Sequence, residues 1–507
     1  MKFQSRANRF VILILILFIS SVSAVAQDAP LQGFDDYVNK ALKDWDVPGV
    51  AIAVIKDDKI VFAKGYGLRE IGKPDKVDER TIFAIGSSTK AFTAASIAML
   101  VDEGKIKWDD PATKYLPGFQ LYDANVTREM TVRDLLTHRI GLERGDALWY
   151  ATDMSRDEIL RRIRFLKPSS SMRSKFGYQN IMFLAAGQIV PQVTGKTWDD
   201  FLRERIFTPL GMTATSTSIS GLKNSNDVAA PHSKFDDKVT AIPYRMIDNI
   251  GPAGSINSNV VDMAQWVRLQ LNSGKFGDKQ LISSANVNVM HSPQTIIPLE
   301  GAMKTLYPEA HFLNYGMGWF LSDYHGRKLV EHGGSIDGMR GLVAMIPEEK
   351  IGIVILANLS GTIISVPLAN RIFDAYLGAP PRDWSAEMLK TMNALQEQGK
   401  AANQKMEAAR IKDTKPSLAL ENYAGDYQNE MYGDTKIVVE NGKLILKRGA
   451  YFTGDLEHWH YDTFRVVWRD RQEGKGFVSF RLNSQGKVEM MNMEGLAEFT
   501  RVAEKKP

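Results

Sequence analysis

Residues 47–67 read VPGVAIAVIKDDKIVFAKGYG, and residues 341–358 read GLVAMIPEEKIGIVILAN. Each is a pair of β-branched, apolar runs folded about a polar turn. The turn is Asp57-Asp58 in the first and Pro347-Glu-Glu-Lys350 in the second. The chain between them is helical in much of its pattern. A fully apolar helix is expected over about 88–102. Further helices should start at Thr131-x-x-Asp134, Ser155-x-x-Glu158 and Thr197-x-x-Asp200, where a hydroxyl precedes an acid by three residues. Strands at both ends with helices between predict an α+β domain, over 32–383, whose sheet joins its N- and C-terminal parts.

Beyond it the texture changes twice. Residues 384–416 are rich in Ala, Lys, Glu, Gln and Met with little apolar stripe, which predicts a partly solvated connecting helix. Residues 417–504 carry a hairpin signal at Asn441-Gly442 and the strand-like runs YDTFRVVWRD, GFVSFRLN and KVEMMNM. They predict a small antiparallel β domain, a barrel or a sandwich. His458 and His460 should share one strand face at period two, as a surface or lumen pair rather than a metal clip. The glycines at 65, 67 and 72 lead into no phosphate-binding helix and read as turn residues.

The first 26 residues hold Lys2, Arg6, Arg9, an apolar run from Phe10 to Ile19 and a small-residue end at Ala24-Val25-Ala26, with no acid. That is the layout of a cleavable secretory signal peptide over 1–26, which predicts a periplasmic or secreted protein with no membrane span after cleavage. Without those residues the chain has 60 basic against 59 acidic side chains. The overall charge of +4 therefore does not point to nucleic acid. There is no cysteine, which excludes disulfides, zinc–thiolate sites and a thiol nucleophile.

The stretch AIGSSTKAFTAAS (84–96) places Ser87 and Lys90 one turn apart at the mouth of the apolar helix. Positions i and i+3 share a face, so the amine can reach the hydroxyl. Burial and the positive helix N-terminus both favour a neutral amine, which can accept the serine proton. The same spacing recurs at Ser220–Lys223 and Ser484–Lys487, but in polar loop and turn contexts. Tyr-x-Asn also occurs three times. Tyr37–Asn39 lies in an amphipathic helix and Tyr427–Asn429 in the β domain; only Tyr178–Asn180 joins a polar loop to an apolar helix, where Asn180 also suits a helix cap. His332-Gly333-Gly334-Ser335 follows the strand RKLV. Its glycines allow close backbone approach, and amides around Ser335 with that of Ser87 would make an oxyanion hole.

The set GSSTK, LLTHRIGL (135–142), FGYQN, PAGSINSNVVDMAQW (252–266) and EHGG, in that order, resembles the class C β-lactamase and penicillin-binding-protein-like serine hydrolases across about 34–380. The resemblance implies an antiparallel sheet with helices plus an all-helical subdomain, with the site between them. It implies Ser87 as acyl-forming nucleophile, Lys90 as its partner, Tyr178 as proton carrier and Asn180 as binder of the acyl amide. His332 stands where β-lactamases carry lysine, and Gly333 where they carry a hydroxyl. A grip on an anionic β-lactam therefore looks weakened. The His-x-Gly form is similar to that of esterases and peptidases of this superfamily, some with a lipocalin-like C-terminal domain.

The resulting expectation is an exported serine hydrolase with catalytic Ser87, Lys90, Tyr178 and His332 and substrate-binding Asn180, Gly333, Gly334 and Ser335. It would cleave amide or ester bonds of a small molecule or short peptide, with no cofactor, metal or nucleic acid. The alternatives are a β-lactamase or D-alanyl-D-alanine carboxypeptidase, and a penicillin-recognising sensor that acylates without turnover. No Gly-x-Ser-x-Gly or His-Glu-x-x-His motif supports other hydrolytic chemistry.

Overall fold

The computed structural model describes residues 30–503, so the expected signal peptide lies outside the described residues. The two hairpins lie side by side in an eight-stranded antiparallel sheet. Its strands are β1 (Gly49–Lys56), β2 (Lys59–Gly67), β3 (Thr295–Ile297), β4 (Leu313–Tyr315), β5 (Phe320–Tyr324), β6 (Arg327–Ile336), β7 (Met339–Ile346) and β8 (Ile351–Ala357). The order is β2-β1-β8-β7-β6-β5-β4-β3. β1 pairs with β8 in unbroken register, from Val50 opposite Ala357 to Lys56 opposite Ile351. Asp57 and Asp58 both have positive φ, 49° and 62°, the backbone twist that a tight hairpin needs.

Helices cover both sheet faces. In β8, Ile351, Ile353, Ile355 and Ala357 pack toward α1 (Phe34–Asp44) and the helix Ser365–Leu377. Val354 and Leu356 pack the other way, into the core that holds α2 (Thr89–Asp102), α3 (Asn180–Thr194) and α4 (Val260–Leu271). Burial on both faces explains why IGIVILA is continuously apolar instead of alternating. Phe92 of α2 stacks on Trp266 of α4 at 4.0 Å between ring centroids. The three expected helix starts are present. Thr131 and Asp134 form a reciprocal capping box, while Ser155 and Thr197 accept from the amides of Glu158 and Asp200.

Three local expectations need correction. Gly65 and Gly67 lie within β2; a Cβ at Gly65 would fall 2.3 Å from the carbonyl oxygen of Val77, so close passage of that segment requires the glycine. β6 does not stop before the glycine pair but runs through it to Ile336. His458 and His460 do not keep a period-two relation, because a bulge shifts the register between them.

The C-terminal domain is a closed barrel of eight strands in meander order, from Gly425–Asn429 to Ala497–Arg501. Asn441 and Gly442 make a two-residue hairpin turn in it, at φ 51° and 73°. Tyr423, Tyr427, Phe464 and Phe480 fill the interior. The connecting helix Trp384–Ala408 is pinned at one end by Trp384 Nε1 donating to Asp374 Oδ2 (2.7 Å) and at the other by a Glu407–Arg465 ion pair (2.7 Å).

The barrel also docks on the first domain. Arg245 donates to Asp337 (2.7 Å) on one side and to Asp470 (2.9 Å) and Glu473 (3.2 Å) of the barrel on the other. Arg448 donates to the carbonyl of Ala147 (2.5 Å), and Met431 packs against Gly145. Among the described residues no helix is long and apolar enough to cross a membrane.

Candidate active site

Ser87 sits in a single 3₁₀ turn, Gly86–Ser88, that feeds directly into α2. Its backbone touches β6. A Cβ on Gly334 would lie 1.7 Å from the carbonyl oxygen of Ile85 and 3.0 Å from the amide nitrogen of Ser87, and one on Gly86 would lie 2.7 Å from the amide nitrogen of Ser335. Both glycines are therefore steric requirements. Ser88 closes the joint by donating its hydroxyl to His332 O at 3.0 Å. The result brings the Ser87 and Ser335 amides to one cleft of about 760 Å³, lined also by Tyr178, Asn180, His332 and Arg340.

Lys90 is fully buried. Its Nζ lies 2.7 Å from Asn180 Oδ1, 2.8 Å from Ala253 O and 3.1 Å from Ser87 Oγ. The first two are obligate acceptors and use two donors. A neutral amine then has its lone pair left for the serine hydroxyl. Burial drives the Lys90 pKa well below the usual lysine range, Asp146 opposes that shift and Arg144 adds to it. Burial thus favours the neutral amine, a form that these three contacts allow.

Asn180 is the first residue of α3, and the helix cap is Gln179, whose side chain accepts from the Ile181 amide. Asn180 is turned by Asp146. Its Nδ2 donates to Asp146 Oδ1 at 2.8 Å, which presents Oδ1 to Lys90. Asp146 is itself held by Trp149 Nε1 (2.9 Å) and Arg144 (2.6 Å).

Tyr178 packs its ring 4.9 Å below Lys90 Nζ and 4.7 Å from the Arg144 guanidinium. Burial pushes its phenol up to about 12, and a hydrogen bond to Ser87 and the charge of Arg144 offset part of that. His138 backs the tyrosine at 4.2 Å between rings, and its Nδ1 accepts from the Gln179 amide at 3.0 Å.

His332 Nδ1 lies 2.6 Å from Gly333 O and Nε2 lies 3.0 Å from the Tyr315 hydroxyl. A carbonyl only accepts, so Nδ1 carries the proton and Nε2 accepts from Tyr315. Burial lowers its pKa to about 3. His332 is a neutral wall of the cleft.

The structure thus gathers every residue expected from the sequence around Ser87, and adds Asp146, Arg144, His138 and Arg340. The competing motifs lie elsewhere. Ser220 bonds Ser218 in a surface turn, Tyr37 accepts from the Ser385 amide, and Tyr427 donates to Tyr423 O inside the barrel.

Comparison with known proteins bears on the family and the fold. The family model described as Beta-lactamase matches residues 34–372, and one described as a domain of unknown function (DUF3471) matches 409–506. Unguisins hydrolase ungD of Aspergillus violaceofuscus is 30% identical over 449 residues, covering 83% of this chain and 79% of that protein. Protein flp of Staphylococcus aureus is 26% identical over 65% of this chain and 63% of its own. The octameric penicillin-binding protein homologue from Pyrococcus abyssi shares the fold, with a TM-score of 0.62 at 22% identity over 93% of this chain and 100% of that one. With its serine–lysine–tyrosine cleft under a shared sheet and a family match over most of its length, this chain belongs to the Beta-lactamase family.

Proposed function

We propose that this protein is an exported serine hydrolase that cleaves amide or ester bonds of small molecules or short peptides through an acyl-enzyme on Ser87. The observation that carries the reading is the valence of Lys90: two obligate acceptors hold its donors, and its third contact is Ser87 Oγ. Ser87 Oγ attacks the substrate carbonyl carbon while its proton passes to Lys90 Nζ. The oxyanion takes hydrogen bonds from the amides of Ser87 and Ser335. On collapse the bond to the leaving group breaks and Tyr178, held protonated, supplies its proton; Lys90 returns a proton to the phenolate. Water repeats the sequence in reverse to release the acid. Two groups with pKa values pushed in opposite directions thus divide the work of base and acid.

The peptidase or esterase reading is favoured over a β-lactamase by β6 itself, which offers a neutral imidazole at 332 and no side chain at 333. That similar proteins are named hydrolases supports turnover over a sensor role. The test is mass spectrometry of purified protein with a fluorophosphonate and a penicillin, beside hydrolysis of a short-chain aryl ester. A fluorophosphonate adduct on Ser87 and ester turnover lost in Ser87→Ala are expected. A persistent penicillin adduct without turnover would establish the sensor.

A further inference from the structure

Ser87 and Lys90 are set by elements of the first domain, whereas Asp146 borders the second. It opens a single 3₁₀ turn, Asp146–Leu148. Leu148 anchors the far end of that turn in the core, and Tyr150 follows by donating to Asp337 at 2.8 Å. The near end has weaker support. Arg144 and Trp149, which donate to the Asp146 carboxylate, belong to the same loop and move with it. Behind the turn lies a second cavity, of about 320 Å³, with Asp146, Ala147 and Tyr150 on one side and Phe452, Trp468 and Met493 of the barrel on the other. The carboxylate therefore has room to retreat from Asn180. One barrel side chain lining that cavity reaches the turn. Arg448, the last residue of the barrel strand Lys443–Arg448, is buried and donates from Nη2 to the carbonyl of Ala147 at 2.5 Å. Its guanidinium lies 4.9 Å from the ring of Phe452, its cross-strand partner, and 5.8 Å from that of Tyr432, so the barrel fixes its direction. A hydrogen bond from a charged donor is about twice as strong as a neutral one.

We propose that Arg448 is a positioning residue for the proton-transfer centre: through the Ala147 carbonyl it holds Asp146 against Asn180, and so keeps Asn180 Oδ1 on Lys90. The links are short and continuous, 2.5 Å from Arg448 to Ala147 O, 2.8 Å from Asn180 Nδ2 to Asp146 and 2.7 Å from Lys90 Nζ to Asn180 Oδ1. The barrel is then a working part of the active site instead of an appended module, although none of its residues touches the reacting atoms. This rests on the functional reading above and adds a residue of the second domain to it.

The test is a double-mutant cycle on the full chain, read as kcat for a short-chain aryl ester. Arg448→Met should lower kcat about 10-fold, and Arg448→Lys, which keeps a charged donor, should recover part of it. The decisive comparison is with Asp146→Ala. If Arg448 acts through Asp146, adding Arg448→Met to Asp146→Ala should cost less than about two-fold more, because the relay is already broken. A merely structural role for Arg448 predicts instead that the two losses multiply, and that result would overturn the proposal. So would an unchanged kcat in a folded Arg448→Met protein. If Arg448→Met does not fold, Arg448→Gln, polar but shorter, takes its place in the same cycle with the same two overturning results. Failure of the underlying hydrolase reading would show separately, as ester hydrolysis that survives Ser87→Ala.

Discussion

Asp146 decides which end of the Asn180 amide faces Lys90: it accepts from Nδ2 at 2.8 Å and leaves Oδ1 to the amine at 2.7 Å. Asp146→Ala frees the amide to turn and removes the negative charge that raises the Lys90 pKa. We expect kcat for an aryl ester to fall about 10- to 100-fold. The ascending limb of the pH–rate profile should also move to lower pH. A purely structural loss would lower the rate without moving the limb.

Lys90→Met should abolish measurable turnover yet stabilise the fold. The sign follows from the depressed pKa. Below its folded value Lys90 is charged in both states, and the cost of burying that charge is complete. Between the folded value and the ordinary 10.5, the unfolded chain binds the extra proton, so stability rises with pH. Above 10.5 both states are neutral. The advantage of methionine should therefore be largest at low pH and vanish by about pH 10.5, which denaturant titrations across pH will measure.

His332 does not supply a titrating group near neutrality. With its pKa lowered to about 3 and Nδ1–H committed to Gly333 O, the pH–rate profile should show no inflection from it between about pH 5 and 8. His332→Asn should change the level of the profile and leave its shape. A lost inflection in that variant would restore the imidazole to a proton-transfer role.

Gly334→Ala places a Cβ where Ile85 O now lies, 1.7 Å away. Backbone cannot yield as a flexible side chain does, so β6 and the serine turn must separate. We expect about 1–3 kcal/mol of destabilisation and a fall in kcat larger than the rise in KM, because the oxyanion amides part.

Arg245→Met leaves Asp337, Asp470 and Glu473 without their shared cation. The cost should be about 3 kcal/mol, read as a lower Tm. Tyr150 donates to both oxygens of Asp337, just beyond the oxyanion strand, so KM should rise as well.

The parts legible in the sequence are those set by local rules. Ser87 and Lys90 lie within one turn, Tyr178 and Asn180 flank one helix start, and the hairpins at Asp57-Asp58 and Asn441-Gly442 follow from turn chemistry. Asp146, Arg144 and Arg340 were missed because nothing local marks them. Each is delivered by tertiary packing: the first two by the loop that the barrel covers, the third by cross-strand register. His138 lies within LLTHRIGL, but its role comes from a ring stack that periodicity does not encode. The glycines at 65 and 334 read as turn or strand-end residues because a close-passing backbone leaves no mark in neighbouring residue types.

The register of Val50 opposite Ala357 has a consequence for how the molecule is made. A strand emerging early in synthesis must wait roughly 300 residues for its partner, which places this chain among slow, high-contact-order folders. Until then Ile52, Val54 and their neighbours offer an unpaired apolar ribbon to any other nascent chain. A product interrupted before β8 keeps that ribbon open for good, so premature termination should yield aggregates instead of a smaller soluble enzyme.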